Sequence, residues 1–236
     1  MEYVLAIDQG TTGSRAFIFD SSGHVRATAY QEFKQYYPKP GWVEHDADEI
    51  WSSCARVIRK AVARGRIDPK RIVALGITNQ RETTILWDRV TGKPFYHAIV
   101  WQCRRTADLC AAPGLRRRAD FIRRATGLVL DPYFSATKIR WILDHVPGLK
   151  RKAARGGVCF GTVDSWLLWK LTNGKVHATD PTNASRTMLF DIRSQRWSRS
   201  LLDIFGIPPS VLPQVKPSGC VFGVTAGVAG SPRQQA

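Results

Sequence analysis

A chain of 236 residues, 44% apolar with eight Trp, ten Phe and six Tyr, has the means to bury real cores, which excludes a disordered polypeptide. No run approaches the ~20 apolar residues of a bilayer-spanning helix, and Glu2 stands where a signal peptide would be basic. The scattered cysteines Cys54, Cys103, Cys110, Cys159 and Cys220 lack CxxC spacing, so free thiols in a reducing cytoplasm are expected, without a zinc site or disulfide framework. Lys plus Arg number 35 against 19 Asp plus Glu, a net +16 that suits phosphorylated ligands, anionic lipid or nucleic acid. The basic clusters at 64–70, 116–124, 150–155 and 193–199 are not interleaved with aromatics and sit in no helix-turn-helix or zinc-finger frame. They read as solvated helix faces, and nucleic acid is not the expected partner.

The first apolar run, Tyr3-Val4-Leu5-Ala6-Ile7, ends in Asp8-Gln9-Gly10-Thr11-Thr12-Gly13-Ser14-Arg15, and a second, Ala16-Phe17-Ile18-Phe19-Asp20, follows at once. A carboxylate, two glycines, three hydroxyls and an arginine between two strands suit a nucleotide polyphosphate and its metal. Gly10 and Gly13 would take positive φ and open the backbone N–H groups to phosphate. Asp8 at a strand end would hold hydrated Mg²⁺. The alternative is a polar hairpin connection that binds nothing.

A third strand is expected over 25–33, then a proline-bearing loop, Tyr36-Tyr37-Pro38-Lys39-Pro40-Gly41-Trp42. Asp46 starts a helix with Glu49 as capping-box partner, and Ile50, Cys54, Val57, Ile58, Ala61 and Val62 form its core face. The unbroken apolar run 72–77 predicts a strand covered on both faces, and 83–88 another, followed by a turn at Thr91-Gly92-Lys93. Helices are expected over 104–111, 117–126, Ser135–His145 and Val163–Leu171, with Ser135 as an N-cap. A strand over 175–179 and a helix over 198–205 follow, before a Pro- and Gly-rich end. The fold class is α/β, a mixed twisted sheet with an inserted helical portion.

Walker and GxGxxG sequences are absent, as is GxSxG, and the five histidines read as structural or solvent-facing. The polar stretch Thr78-Asn79-Gln80-Arg81-Glu82-Thr83-Thr84 follows directly on a buried strand, where open α/β sheets bind ligands. Arg81 and Glu82 together offer donors and acceptors for a polyol, or form a surface ion pair. Trp101, leaving a strand before Arg104-Arg105, walls a pocket or is plain core. Asp131-Pro132-Tyr133-Phe134-Ser135 presents a Tyr hydroxyl. Asp164 reads as a first-turn acid favoured by the helix dipole, and Thr182-Asn183-Ala184-Ser185-Arg186-Thr187 as a connector bonded to its own backbone.

These runs, with Tyr37-Pro38-Lys39-Pro40-Gly41-Trp42-Val43-Glu44, Trp101-Gln102-Cys103-Arg104-Arg105-Thr106 and Asp180-Pro181-Thr182-Asn183-Ala184-Ser185-Arg186-Thr187, resemble glycerol kinase over residues 1 to about 220. That family belongs to the FGGY carbohydrate kinases and has the actin/hexokinase-type, ribonuclease H-like ATPase fold. The resemblance implies that Thr11, Thr12, Gly13 and Arg15 contact the phosphates of ATP or ADP, with Asp8 near Mg²⁺. It implies that Arg81, Glu82 and Tyr133 bind glycerol and that Trp101 packs on its carbons. The reaction implied is γ-phosphoryl transfer from ATP to a terminal hydroxyl, giving glycerol 3-phosphate. Relatives often carry Ser where this chain has Gly13, which removes one hydroxyl. The family's base is the Asp of Gly-x-Ala-Gly-Asp-Gln-Gln-Ala, whereas this chain ends Gly227-Val228-Ala229-Gly230-Ser231-Pro232-Arg233-Gln234-Gln235-Ala236. The expectation is therefore one N-terminal, glycerol-binding domain over 1–236 with an irregular end at 221–236. The C-terminal ATP-binding domain and catalytic Asp are missing, so the isolated chain is expected to be inactive. A non-catalytic relic that binds glycerol or phosphate is the alternative, and a basic nucleic-acid-associated protein is the third reading. Expected protein partners are a second copy or a separately supplied C-terminal half.

Overall fold

The computed structural model describes residues 1–226, so the run 227–236 in which the resemblance places a base lies outside them. Strands β1 (Tyr3–Gln9), β2 (Gly13–Asp20) and β3 (Val25–Glu32) form an antiparallel meander. Their alternation decides which face is covered: Leu5, Ile7, Ser14, Ala16, Ile18, Ala27 and Ala29 are buried, while Val4, Arg15 and Tyr30 on the other face are exposed. The short β4 (Glu44–His45) leads into helix α1 (Ala47–Gly65), whose Ile50, Cys54, Val57, Ile58 and Ala61 cover the buried face as the sequence pattern predicts. Asp46 caps α1, accepting from the N–H of Asp48 (2.7 Å) and Glu49 (3.1 Å). The reciprocal half of the capping box is absent, because Glu49 Oε1 instead accepts from the Tyr36 hydroxyl at 2.7 Å and ties the proline loop to the helix.

Strand β5 (Ile72–Asn79) runs parallel to β1 and completes the order β3-β2-β1-β5. It is not covered on both faces, contrary to its apolar run. As the outermost strand it leaves Val73 and Gly76 exposed and only Ile72 and Leu75 fully buried. The chain then passes through β6 (Ile85–Asp88) and β7 (Ala98–Ile99), the latter paired with β4. Helices α2 (Ala107–Ala111), α3 (Pro113–Arg116), α4 (Ala119–Thr126), α5 (Ser135–His145) and α6 (Leu149–Ala154) intervene before β8 (Val158–Gly161) returns antiparallel to β6. The helical portion is thus an insertion between two paired strands, with its own apolar core around Ile122, Ile139, Ile142 and Phe160.

Helix α7 (Val163–Leu171) is buried over most of its length and packs beside β5; Trp166 sits 5.2 Å and Trp169 5.8 Å from Trp87, ring to ring. Then come β9 (Ala178–Thr179), α8 (Pro181–Ala184), the hairpin of β10 (Phe190–Asp191) and β11 (Arg196–Trp197), α9 (Arg199–Phe205) and β12 (Gln214–Val215), which pairs with β9. Ser198 caps α9, but Ser135 is no cap: it is the first residue of α5, after Phe134, and its hydroxyl donates to the Glu82 carbonyl at 3.2 Å. The five cysteines are free thiols. Among the described residues no helix is long and apolar enough to cross a membrane.

Candidate active site

The phosphate-type turn is a β1–β2 hairpin closed by Gly10 N–H donating to the Gly13 carbonyl at 2.9 Å. Neither glycine takes a positive φ, so the expected left-handed turn is not what they provide. Gly13 instead leaves room for Tyr30: a Cβ there would lie 2.6 Å from the Tyr30 hydroxyl oxygen, and the exposed ring would have to swing aside. Among the described residues no acceptor takes the amide N–H of Thr11 or Thr12. Both donors, with the exposed Thr12 hydroxyl, are available to an anion. Register places Asp8 beside Arg15 on β2 and Thr78 on β5, on the open face of the sheet.

The turn is held by side-chain amides. Gln80 Nε2 donates to Gln9 Oε1 (3.1 Å) and the Gly10 carbonyl (3.2 Å), and Thr83 Oγ1 donates to Gln80 Oε1 (2.9 Å). His45 completes this packing against Gln80 and Gln35; burial depresses its pKa to about 4, so it is a neutral structural imidazole. The same amides fix the start of the loop that carries Arg81 and Glu82.

Trp101 is neither core nor loose wall. Its indole N–H donates to Thr11 Oγ1 at 3.0 Å, and its ring lies 5.5 Å from that of Tyr133. The bond leaves the Thr11 hydroxyl proton free to point outward. Glu82 is 3% exposed with φ +64, a strained backbone for a side chain of that length. Arg81 is not its partner. Arg186 is, with Nε donating to Glu82 Oε1 at 2.6 Å and the guanidinium lying 4.9 Å over Phe134 and 5.7 Å over Tyr133. The connector at 182–187 therefore bonds its own backbone, as its hydroxyls predict, but also sends Arg186 into the site. Glu82 Oε2 has no protein partner among the described residues.

The Glu82 backbone is held from below by Lys138, which is fully buried. Its ammonium donates to the carbonyls of Tyr133 (2.6 Å) and Glu82 (3.3 Å) and has no carboxylate partner among the described residues, and burial pulls its pKa down to about 7. One lysine thus ties together two segments that present candidate ligand groups. Helical periodicity alone puts Lys138 on α5 with no hint of this. The segment bearing Trp101 is anchored by Arg105, also buried, whose Nη2 donates to Glu44 Oε1 at 2.6 Å and whose guanidinium packs 3.9 Å from the Trp42 ring. Tyr96 and His97 also bond to Glu44.

Arg81 stands apart from this chain of contacts. It is exposed and lines a cavity of about 580 Å³ with Thr78 and Asn79 of β5, Asp164, Asp180 and Asn183. Asp164 lies in the first turn of α7 as expected, but it faces this cavity. Burial raises its pKa to about 6, although the Thr162 and Thr179 hydroxyls both bond it. Asp180 also feels burial, but donors from Ser218, Asn183 and Thr182 outweigh it and hold the group low. Of the residues singled out in the sequence, Thr11, Trp101, Tyr133 and Glu82 lie along one path of contacts. Asp8 and Arg15 adjoin it through the sheet, and Arg81 opens on its far side.

A domain with this sheet, this helical insertion and this hairpin has clear relatives. The model of the FGGY family of carbohydrate kinases, N-terminal domain, matches residues 3–230, and the chain belongs to that family. It is 57% identical over 224 residues to the glycerol kinase of Shewanella pealeana, covering 95% of this chain and 45% of that protein. The crystal structure of Plasmodium falciparum glycerol kinase with ADP superposes with a TM-score of 0.94 at 35% identity, covering all of this chain and 47% of that one. Gluconate kinase from Lactobacillus acidophilus, at 20% identity and TM-score 0.88, covers 99% of this chain and 46% of that one and shares the fold, which is that of the actin/hexokinase ATPases. The chain spans about half the length of the curated relatives it matches.

Proposed function

We propose that this chain forms the glycerol-binding and phosphate-gripping part of an ATP-dependent glycerol kinase. The observation that carries the reading is the unbroken path Thr11–Trp101–Tyr133–Arg186–Glu82. It joins an anion-competent turn to a half-buried pocket edge with one free carboxylate oxygen and an aromatic wall. Glu82 Oε2 and the Tyr133 hydroxyl take the hydroxyls of a small polyol, Arg81 reaches it from the cavity side, and the Trp101 face covers its carbons and excludes water. Arg15, the Thr11 and Thr12 amides and their hydroxyls hold the phosphates, whose charge the basic chain complements. The residues fit a metal that arrives with the nucleotide. No group of three or more His, Cys, Asp or Glu among the described residues forms a cage, while Asp8 stands alone beside the turn, as suits a hydrated Mg²⁺ held mainly by phosphate oxygens. When bound, that ion neutralises charge between the transferring and leaving oxygens. The Asp that the resemblance implies as proton acceptor does not stand in this sequence, where Ser231-Pro232-Arg233 takes its place outside the described residues. A cytoplasmic location belongs to the same proposal, as does a second copy of the chain as protein partner. Calorimetry with millimolar glycerol tests it: binding is expected, with Glu82→Gln and Arg81→Ala each weakening it at least tenfold. Affinity unchanged in both variants would remove the polyol assignment.

A further inference from the structure

Strand β3 sets Tyr30 directly across from Arg15, so Tyr30, Arg15, Asp8 and Thr78 form one row across all four strands on the open face of the sheet. The Tyr30 side chain leans along the sheet toward the turn. Its hydroxyl oxygen lies 2.6 Å, and its Cζ and Cε2 2.7 Å, from the point a Cβ of residue 13 would occupy. A side chain at position 13 would push the exposed ring aside, so the ring holds this place because residue 13 is glycine. The same ring lies 5.3 Å from the Arg15 guanidinium, which Phe17 flanks at 5.8 Å on its own strand. Among the described residues no carboxylate pairs with Arg15, and no group bonds the Tyr30 hydroxyl, although the residue is 43% exposed. A phenol held over a glycine at the mouth of an anion-competent turn, with an unpaired arginine against its face, leaves a donor and a charge directed at one place.

We propose that Tyr30 is a phosphate-binding residue of this chain: its hydroxyl fills the place in the turn that a hydroxyl side chain at position 13 would take. Its ring holds Arg15 toward the same anion. The ligand class is a diphosphate group, as in a nucleoside diphosphate or free pyrophosphate, and the inference rests on the phosphate role of the turn. Tyrosine O–H donates one hydrogen bond to a phosphate oxygen, and a bond to a charged group carries more weight than a neutral one.

The test is titration of the whole chain with pyrophosphate and with Mg-ADP at fixed ionic strength, using calorimetry. Tyr30→Phe keeps the ring over Gly13 and Arg15 but loses the donor, and is expected to weaken both ligands about tenfold with an unchanged melting temperature. Tyr30→Ala loses more, because Arg15 is no longer held. Gly13→Ser alone is expected to displace the exposed Tyr30 ring with little change in melting temperature. Combined with Tyr30→Ala, it melts normally and regains most of the affinity that Tyr30→Ala loses. Wild-type affinity in Tyr30→Phe, alongside a weakened Arg15→Ala, overturns the Tyr30 assignment and leaves the turn's role standing. A normally melting double variant that regains nothing also overturns it. If Arg15→Ala binds as the wild type does, or the wild type binds neither ligand, the turn is not a phosphate site and both readings fall.

Discussion

The two ends of the candidate site are built in opposite ways. At the proposed phosphate end, Asp8, Arg15, Thr12 and Tyr30 project from regular strands or their hairpin, partly or wholly in solvent and without ion-pair partners among the described residues. At the proposed polyol end, Glu82, Lys138, Arg105 and Arg186 are partly or fully desolvated and paired or carbonyl-bonded in advance, and all but Lys138, which lies on α5, are carried on irregular backbone. The difference follows from chemistry. A polyphosphate brings its own large charge and needs only donors at fixed spacing, which a strand pair supplies. A small neutral polyol is bound by few bonds, so its acceptors must already be held in place before it arrives, and the cost of burying them falls on folding.

That contrast predicts where substitutions act. The largest effect is expected for Arg105→Met, which leaves Glu44 buried without its guanidinium. A loss of about 3–5 kcal/mol follows, on the order of 10 °C in melting temperature by calorimetry, and a loss under 1 kcal/mol would show that the buried end is not prepaid in stability. Next, Arg186→Met strands Glu82 in the same way. Because the Arg186 side chain is 30% exposed, solvent softens the cost to about 1–2 kcal/mol, and glycerol affinity falls with it. At the phosphate end Arg15→Met is expected to leave melting within about 0.5 kcal/mol of wild type while weakening pyrophosphate; an equal loss of stability would erase the contrast.

The pH dependence sharpens the same comparison. Burial makes the folded state favour neutral Lys138, so between about 7 and 10.5 the unfolded chain carries a proton the folded chain has released, and stability rises with pH. Urea titrations of the wild type and Lys138→Met across that window should differ in slope, the variant lacking the rise. Asp164 acts in the other direction, because its folded pKa is raised. Folded protein holds the extra proton between about 3.8 and 6, so stability falls as pH rises through that window, and Asp164→Asn removes the fall. Parallel slopes for variant and wild type would count against either assignment.

Much of this was legible in the residues. Apolar runs gave β1 and β2, a loose alternation gave β3, helical spacing and Asp46 gave α1, and α5 and α7 were read to their observed bounds. Trp101 and Glu82 stood out because they break the pattern at strand ends. What escaped was long-range pairing, which no local pattern carries. Arg186 reaches Glu82 across 104 positions, so the adjacent Arg81 was the natural but incorrect partner. The 72–77 run looked doubly covered because apolar composition does not distinguish an edge strand from a central one. Lys138 hid in a helix that any long side chain would suit.

The indole of Trp101 also gives the molecule an optical handle. Trp87 and Trp166 lie in the core, shielded from water, whereas Trp101 is half-buried with its N–H engaged by Thr11. Trp42, Trp51, Trp141 and Trp197 are half-buried as well, so the Trp101 emission is isolated as the difference between the wild type and Trp101→Phe. A change in that difference on adding glycerol or a diphosphate would follow binding on the unlabelled chain, with Trp101 as its reporter.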